Sequence, residues 1–377
     1  MIDSLAARVA ELSPAEHGFS HFHPGARATA SGRLDGWLIP AKDLYDVAGM
    51  PTTHGSAHRT RMAHATDPFL RRLLAQGAVI PGKSAVPELG LTIHTEPVGL
   101  PAVDNPLYPG HTPGGSSGGA AVMVARGLVR AAHASDGGGS IRVPAAATGT
   151  VGFMPTHEGL SAQGFITATV ADQAFLHGVR PASRRLRVGV LTDPLFADVA
   201  VDAAWLDGLD LAAGALSDAG HEVLGVGAWP RAEETFAHFT DLFTSRMAGL
   251  DQAEDLAAWL REKGRALPPG RLADARSHAD SLAGMLSAHW DVDVLATPVL
   301  AGDPPPTGAF SSLAPAENFR AQTEWSPWAS LANVAGTAAI SIPWPRPGRP
   351  PVAVHLAVVR AGVSDAELLG LARELHG

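Results

Sequence analysis

Two glycine–serine clusters, GGSSGG at 114–119 and SDGGGSIR at 135–142, enclose the run AAVMVARGLVRAAHA, and this arrangement narrows the possible folds more than any other feature of the chain. The enclosed run is too small and too apolar to face water along its length. It reads as a buried helix followed by a strand. The clusters carry no bulky side chains, so their backbone N–H groups lie open where the chain bends around that buried unit. Three glycines before Ser140 can curl into an anion-binding nest, or can form a tight bend and nothing more.

Strands alternate with helices along much of the chain. LDGWLIPAKDLYDVAGMPTTHGS begins as an apolar, strand-like run and breaks into a loop. DPFLRRLLAQG has helical spacing, with Asp67 as its cap, Pro68 in the first turn and Gly77 as its stop. AVI at 78–80 reads as a short buried strand, and 101–119 as loop. Further on the pattern gives strands at 186–191, 221–226, 291–298, 338–343 and 351–359. Helices are expected over 201–219, 231–263 and 272–289, with another closing the chain. Such alternation points to an α/β protein, with no repeat and no linker that divides it.

Composition removes several functions. A net charge of −9 leaves no basic excess for nucleic acid. Zero cysteines remove disulfides, thiolate metal sites and thiol nucleophiles. The first residues carry no cationic and apolar leader pattern, and no apolar run reaches the roughly 20 residues of a spanning helix, so a cytoplasmic protein with no membrane partner is expected. Among 17 histidines, the pairs His21/His23 and His54/His58 lack a partnering carboxylate set, so no metal is expected.

Two short patterns mislead. GAVIPGKS at 77–84 fits the phosphate-binding G-x-x-x-x-G-K-[ST] pattern, but a helix precedes it where a strand is needed. Its loop contains Pro81, which has no N–H to offer a phosphate, and Pro87 interrupts the helix that should follow. GSSGG at 115–119 fits G-x-S-x-G with Ser117 as nucleophile, but the proline- and glycine-rich NPLYPGHTPG precedes it instead of a strand.

The stretch GHTPGGSSGGAAVMVARGLVRAAHASDGGGSIRVPAAATGTVGFMPT strongly resembles the signature region of the amidase signature family. IPAKDLYDVAGMPTTHGS and GAVIPGKSAVPELG resemble the two blocks that precede it, and ADQAF the block that follows. The resemblance is dense over 35–195, faint over 196–290, and looser over 291–377. It implies one amidase domain across 1–377, with a large mixed β-sheet core covered by helices on both faces.

The family works through a Ser–cis-Ser–Lys triad, with no metal and no cofactor. By position the resemblance assigns the lysine of the G-K block, Lys83, as base, Ser116 as the bridging serine and Ser140 as nucleophile. A serine hydroxyl needs a base to become reactive, and a lysine can serve only when neutral. Burial can lower its pKa from about 10.4 by roughly 3 units, and the apolar AVIP run before Lys83 fits such burial. Ser116 then relays the proton of Ser140 and hands it to the leaving amine. Backbone N–H groups at Gly137, Gly138 and Gly139 are the expected oxyanion hole. Asp136 and Arg142 are expected to pair and hold the turn, and Ser117 to hydrogen-bond within the site.

The chain also departs from the family. Gly137 stands where threonine or a larger residue is common, and the middle section is short. A trimmed middle leaves either an open cleft or a surface that tiles against a second copy in a homodimer. Thr95, with His94 and Glu96, falls in a block expected near the leaving group, and Trp325, Trp328 and Phe310 are candidates for an aromatic pocket wall. The expected reaction is cleavage of a small linear amide to acid and amine or ammonia. Carbamate, allophanate-type or aryl-ester hydrolysis with the same triad, or an amidotransferase subunit, are the alternatives.

Overall fold

A computed structural model describes residues 1–376 of the chain. Its centre is a mixed sheet, eight-stranded among the described residues. The strand order is Glu222–Gly225, Arg187–Val190, Val294–Pro298, Arg349–Val358, Ala339–Arg346, Val151–Met154, Ala162–Thr167 and Ala131–Asp136. The first three are mutually parallel, and every later pair is antiparallel. A parallel pair needs a crossover, and helix Ala203–Asp218 supplies it between the first two strands.

Both faces of the sheet are covered, because successive strand residues point to opposite sides. Along Arg349–Val358, Val354, Leu356 and Val358 pack with Leu209 and Leu216 of helix Ala203–Asp218 and with Leu368 and Leu369 of helix Asp365–Leu375. Ala353 points the other way, onto Val143 and Ala147 of helix Arg142–Thr148. The run between the glycine clusters forms helix Gly118–Ala125, buried from Gly118 to Val124, and then the fully buried edge strand Ala131–Asp136. Gly118 admits no side chain: a Cβ there would lie 2.2 Å from Thr95 Oγ1.

A second, small sheet positions the lysines. Gly82–Ser84 lies between Phe19–Phe22 and Ala41–Lys42. Its pairing with Ala41–Lys42 is parallel, with Ala41 opposite Lys83 and Lys42 opposite Ser84, and its pairing with Phe19–Phe22 is antiparallel. Paired residues share a face of a sheet and neighbours along a strand do not. Lys42 and Lys83 therefore point to opposite sides of this sheet.

Two expected elements shift. The strand expected at 78–80 is a single bridge between Leu38 and Val79, and the ladder forms at Gly82–Ser84 instead, beyond Pro81 with its missing donor. The helix expected over 231–263 is two, Ala232–Ser245 and Asp255–Arg265, broken across the glycine-containing turn between them. No helix among the described residues is long and apolar enough to cross a membrane.

The sheet core carries the stability of this arrangement. Leu356→Ala, at a fully buried position, is expected to cost about 2–5 kcal/mol. Leu211→Ala, on an exposed face of helix Ala203–Asp218, should stay within about 0.5 kcal/mol. Urea unfolding midpoints of the two variants check the difference.

Candidate active site

The amine that reaches Ser116 belongs to Lys42, not to Lys83. Lys42 Nζ donates to Ser116 Oγ at 2.8 Å and to the Ser135 carbonyl at 2.9 Å. Lys83 Nζ, on the other side of the small sheet, donates to Asp43 Oδ1 at 2.8 Å and Thr52 Oγ1 at 3.0 Å. Both lysines are wholly buried, so apolar surroundings do not distinguish them. Their partners do. Lys83 sits in a buried ion pair with Asp43; Lys42 has no carboxylate in contact. Burial pushes the Lys42 amine down to about 7, with the charge of Asp136 opposing. Burial also holds Lys83 below the ordinary lysine value, but there the adjoining Asp43 works to keep the proton on. The assignment of Lys83 to the serines is thus corrected.

His133 supports Lys42 from behind. Its Nδ1 accepts the Lys42 backbone N–H at 3.2 Å, so Nε2 carries the hydrogen and meets Gln163 Oε1 at 3.0 Å. Burial pushes this imidazole down to about 3, leaving it neutral beside the lysine.

Ser116, Ser135 and Ser140 line one cavity of about 220 Å³ together with Gly137 and Gly138. The Gly115–Ser116 peptide is cis. Ser117 is fully buried as the cap residue of helix Gly118–Ala125, with Oγ 3.4 Å from the Ser135 carbonyl. The turn that presents Ser140 is tied to Asp136. That carboxylate accepts the backbone N–H of Gly139 at 2.6 Å and of Ile141 at 3.0 Å. The Gly139 donor is occupied, which removes it from the expected oxyanion hole and leaves Gly137 and Gly138 facing the cavity.

Asp136 and Arg142 pair as expected, in a two-pronged contact of 2.9 and 3.0 Å with both side chains wholly buried. Arg142 also donates to the Ala329 carbonyl, to Asn333 Oδ1 at 2.6 Å and to His355 Nε2 at 3.0 Å. Burial alone would raise the Asp136 pKa, but the Arg142 charge and the hydrogen bonds from Arg142 and Asn333 hold it well below the usual carboxylate range. It stays ionised and engaged.

The aromatic wall comes from elsewhere than expected. Phe236, Phe239 and Phe243 project from helix Ala232–Ser245, and Phe319 from helix Pro315–Trp325. Phe239 lies over the serine turn; a Cβ on Gly138 would come within 2.9 Å of its ring. Trp325 and Trp328 are core residues instead, their indole N–H groups bound to the Gly302 and Asp193 carbonyls. Phe310 packs against Trp325 and His94. Thr95 is wholly buried and donates to the Gly114 carbonyl at 2.7 Å, bracing the serine loop from outside the cavity. His94 and Glu96 contact each other at 3.3 Å. The signal for the true wall was the spacing 236, 239, 243, one stripe of a helix.

Among the described residues one trio, Glu234, His238 and His278, brings potential metal donors within 4.8 Å of one another. None of the three lines the serine cavity, and Glu234 is held by Arg231 at 2.6 and 2.8 Å.

A family model described as "Amidase" matches residues 23–174. A relative from Mycobacterium tuberculosis, "Putative amidase AmiB2", is 32% identical across 93% of this chain and 84% of its own length. The solved 6-aminohexanoate cyclic dimer hydrolase superposes with a TM-score of 0.86 at 25% identity, covering 99% of this chain and 92% of that one. A bacterial aryl acylamidase of the amidase signature family shares the fold, with a TM-score of 0.82 at 19% identity, covering 99% and 92%. The chain belongs to the amidase family, that of the amidase signature enzymes. It is a hydrolase of amide carbon–nitrogen bonds.

The two buried lysines should respond differently to removal. Lys83→Ala strands the Asp43 carboxylate in the interior, and a loss of about 3–5 kcal/mol is expected. Lys83→Met with Asp43→Leu should recover much of that stability. Chemical denaturation of single and double variants measures the coupling.

Proposed function

We propose that Ser140 is the nucleophile of this amidase, Ser116 the proton relay and Lys42 the base. The observation that carries the reading is the 2.8 Å contact between Lys42 Nζ and Ser116 Oγ, with an amine whose pKa lies near 7. Such an amine is substantially neutral near pH 7, where an ordinary lysine is charged. It can accept a proton.

The Ser140 hydroxyl proton passes to Ser116 Oγ as the Ser116 proton passes to Lys42 Nζ. Ser140 Oγ forms a bond to the substrate carbonyl carbon, and the carbonyl electron pair moves onto oxygen. The N–H groups of Gly137, Gly138 and Ser140, on the cavity side of the turn, face that oxyanion. Lys42 returns its proton through Ser116 to the amide nitrogen, the carbon–nitrogen bond breaks, and a free amine leaves behind an ester on Ser140. A water then loses a proton along the same path and attacks the ester, restoring Ser140 and releasing the acid. The phenylalanine wall and the size of the cavity suit a linear amide with an apolar portion.

Ser140→Ala, Ser116→Ala and Lys42→Ala are each expected to lower kcat/KM for a chromogenic anilide by at least about 10³-fold. Lys83→Ala should retain more activity than any of them once corrected for folded protein. Labelling by a fluorophosphonate probe should map to Ser140. Labelling at Ser117, or Lys42→Ala equal to wild type near neutral pH, overturns the reading.

The pH profile carries the sign of the base. Because the neutral amine is the active form, kcat/KM should rise with pH through about 7 and level off above it. At pH 6 and below, activity should fall by about tenfold per pH unit. A profile that is flat between pH 6 and 9 contradicts a lysine base of this pKa.

A further inference from the structure

We infer that this amidase selects amides bearing a carboxylate, and that Arg246 is the residue that recognises it. The inference rests on the reading of the serine cavity as the amide site. Among the residues that line that cavity, Arg246 is the only one with a formal charge at neutral pH, and no aspartate or glutamate faces it. The surrounding wall is largely phenylalanine, leucine and hydroxyl groups. Across a chain with net charge −9, a cation left without an acid at this position stands out.

The guanidinium is held without being neutralised. Arg246 Nη1 donates to Ser161 Oγ at 2.6 Å, and among the described residues it forms no ion pair. Burial works to deprotonate it, with only the Tyr45 hydroxyl opposing, but an arginine remains charged. Its remaining donors are free for a ligand. A charged, planar, five-donor group in a partly apolar cavity suits a carboxylate, which can accept two parallel hydrogen bonds.

The position relative to the reacting atoms is set by Gly137. A Cβ on this residue would lie 2.8 Å from Ser161 Oγ. Glycine at 137, one of the positions where the sequence departs from the family's common pattern, therefore makes room for Ser161, and Ser161 in turn holds Arg246. The guanidinium is one side chain away from the turn that carries Ser140. A carboxylate bound there belongs to the same small molecule as the scissile amide, a few bonds from it. Short-chain dicarboxylic acid monoamides have this form.

The experiment compares the mono-anilides of succinic, glutaric and adipic acid with the neutral anilides of butyric, valeric and hexanoic acid. In the wild type, kcat/KM for at least one acidic anilide should exceed its neutral counterpart by about tenfold or more, the scale of one charged hydrogen-bonded pair. That ratio should collapse toward one in Arg246→Gln, recover in part in Arg246→Lys, and fall partway in Ser161→Ala. Measurable turnover at equal rates for acidic and neutral anilides in the wild type, or a preference that survives Arg246→Gln, overturns the inference. Calorimetric binding to Ser140→Ala with and without Arg246→Gln separates recognition from chemistry. A tenfold binding preference lost with Arg246, even where no anilide is turned over, supports the inference and counts against the catalytic reading alone. No preference in binding sinks it.

Discussion

One buried amine that has no carboxylate in contact with it is the condition on which this site depends. The chain buries two lysines a register step apart and places an aspartate, Asp43, directly after Lys42. Asp43 turns to Lys83, satisfying that charge with Thr52. Lys42 is left with a serine hydroxyl and a carbonyl. An ammonium without a counter-ion in a dry setting is costly, and the group relieves that cost by giving up its proton. The same burial that would only weaken a structural lysine brings this amine down to about 7.

The nearest carboxylate that could spoil the arrangement is Asp136, at the end of the edge strand. It is withdrawn by full occupation. Arg142 and Asn333 bind its oxygens, and backbone donors of Gly139 and Ile141 complete the set. Arg142 continues through His355, whose other nitrogen meets Thr297 Oγ1 at 3.2 Å. A buried network in which the members find partners rigidifies its surroundings. Here the surroundings are the turn that presents Ser140. The network holds the turn that carries Ser140, and by holding Asp136 ionised within its own ion pair it leaves Lys42 without a direct carboxylate partner.

The short middle section does not leave the serines uncovered. Helix Ala232–Ser245 lies across them, with Phe239 against Gly138. Glycines at 137 and 138 thus do two things at once. They line the cavity, and they let Ser161 and Phe239 approach to where a Cβ would lie 2.8 and 2.9 Å from them, so that a side chain at either position would require its neighbour to shift.

The sequence by itself determined the α/β alternation, the buried helix and strand between the glycine clusters and the cap at Asp67, and its resemblance to a family pointed to the Asp136–Arg142 pair and to Ser116 and Ser140, which line one cavity. These are local patterns, or motifs whose spacing is set along the chain. It assigned Lys83 from its place in the G-K block, and the apolar run before that residue could not expose the error, because an apolar run precedes Lys42 as well. The choice lies in strand pairing: with Ala41 opposite Lys83, the two side chains leave the sheet on opposite faces. Nor could composition tell a tryptophan in the core from a phenylalanine in the wall, since both are apolar and both are spaced for burial. Only the packing of distant segments decided which aromatic faced the serines, which glycine N–H was already taken, and which of two amines was left without an acid.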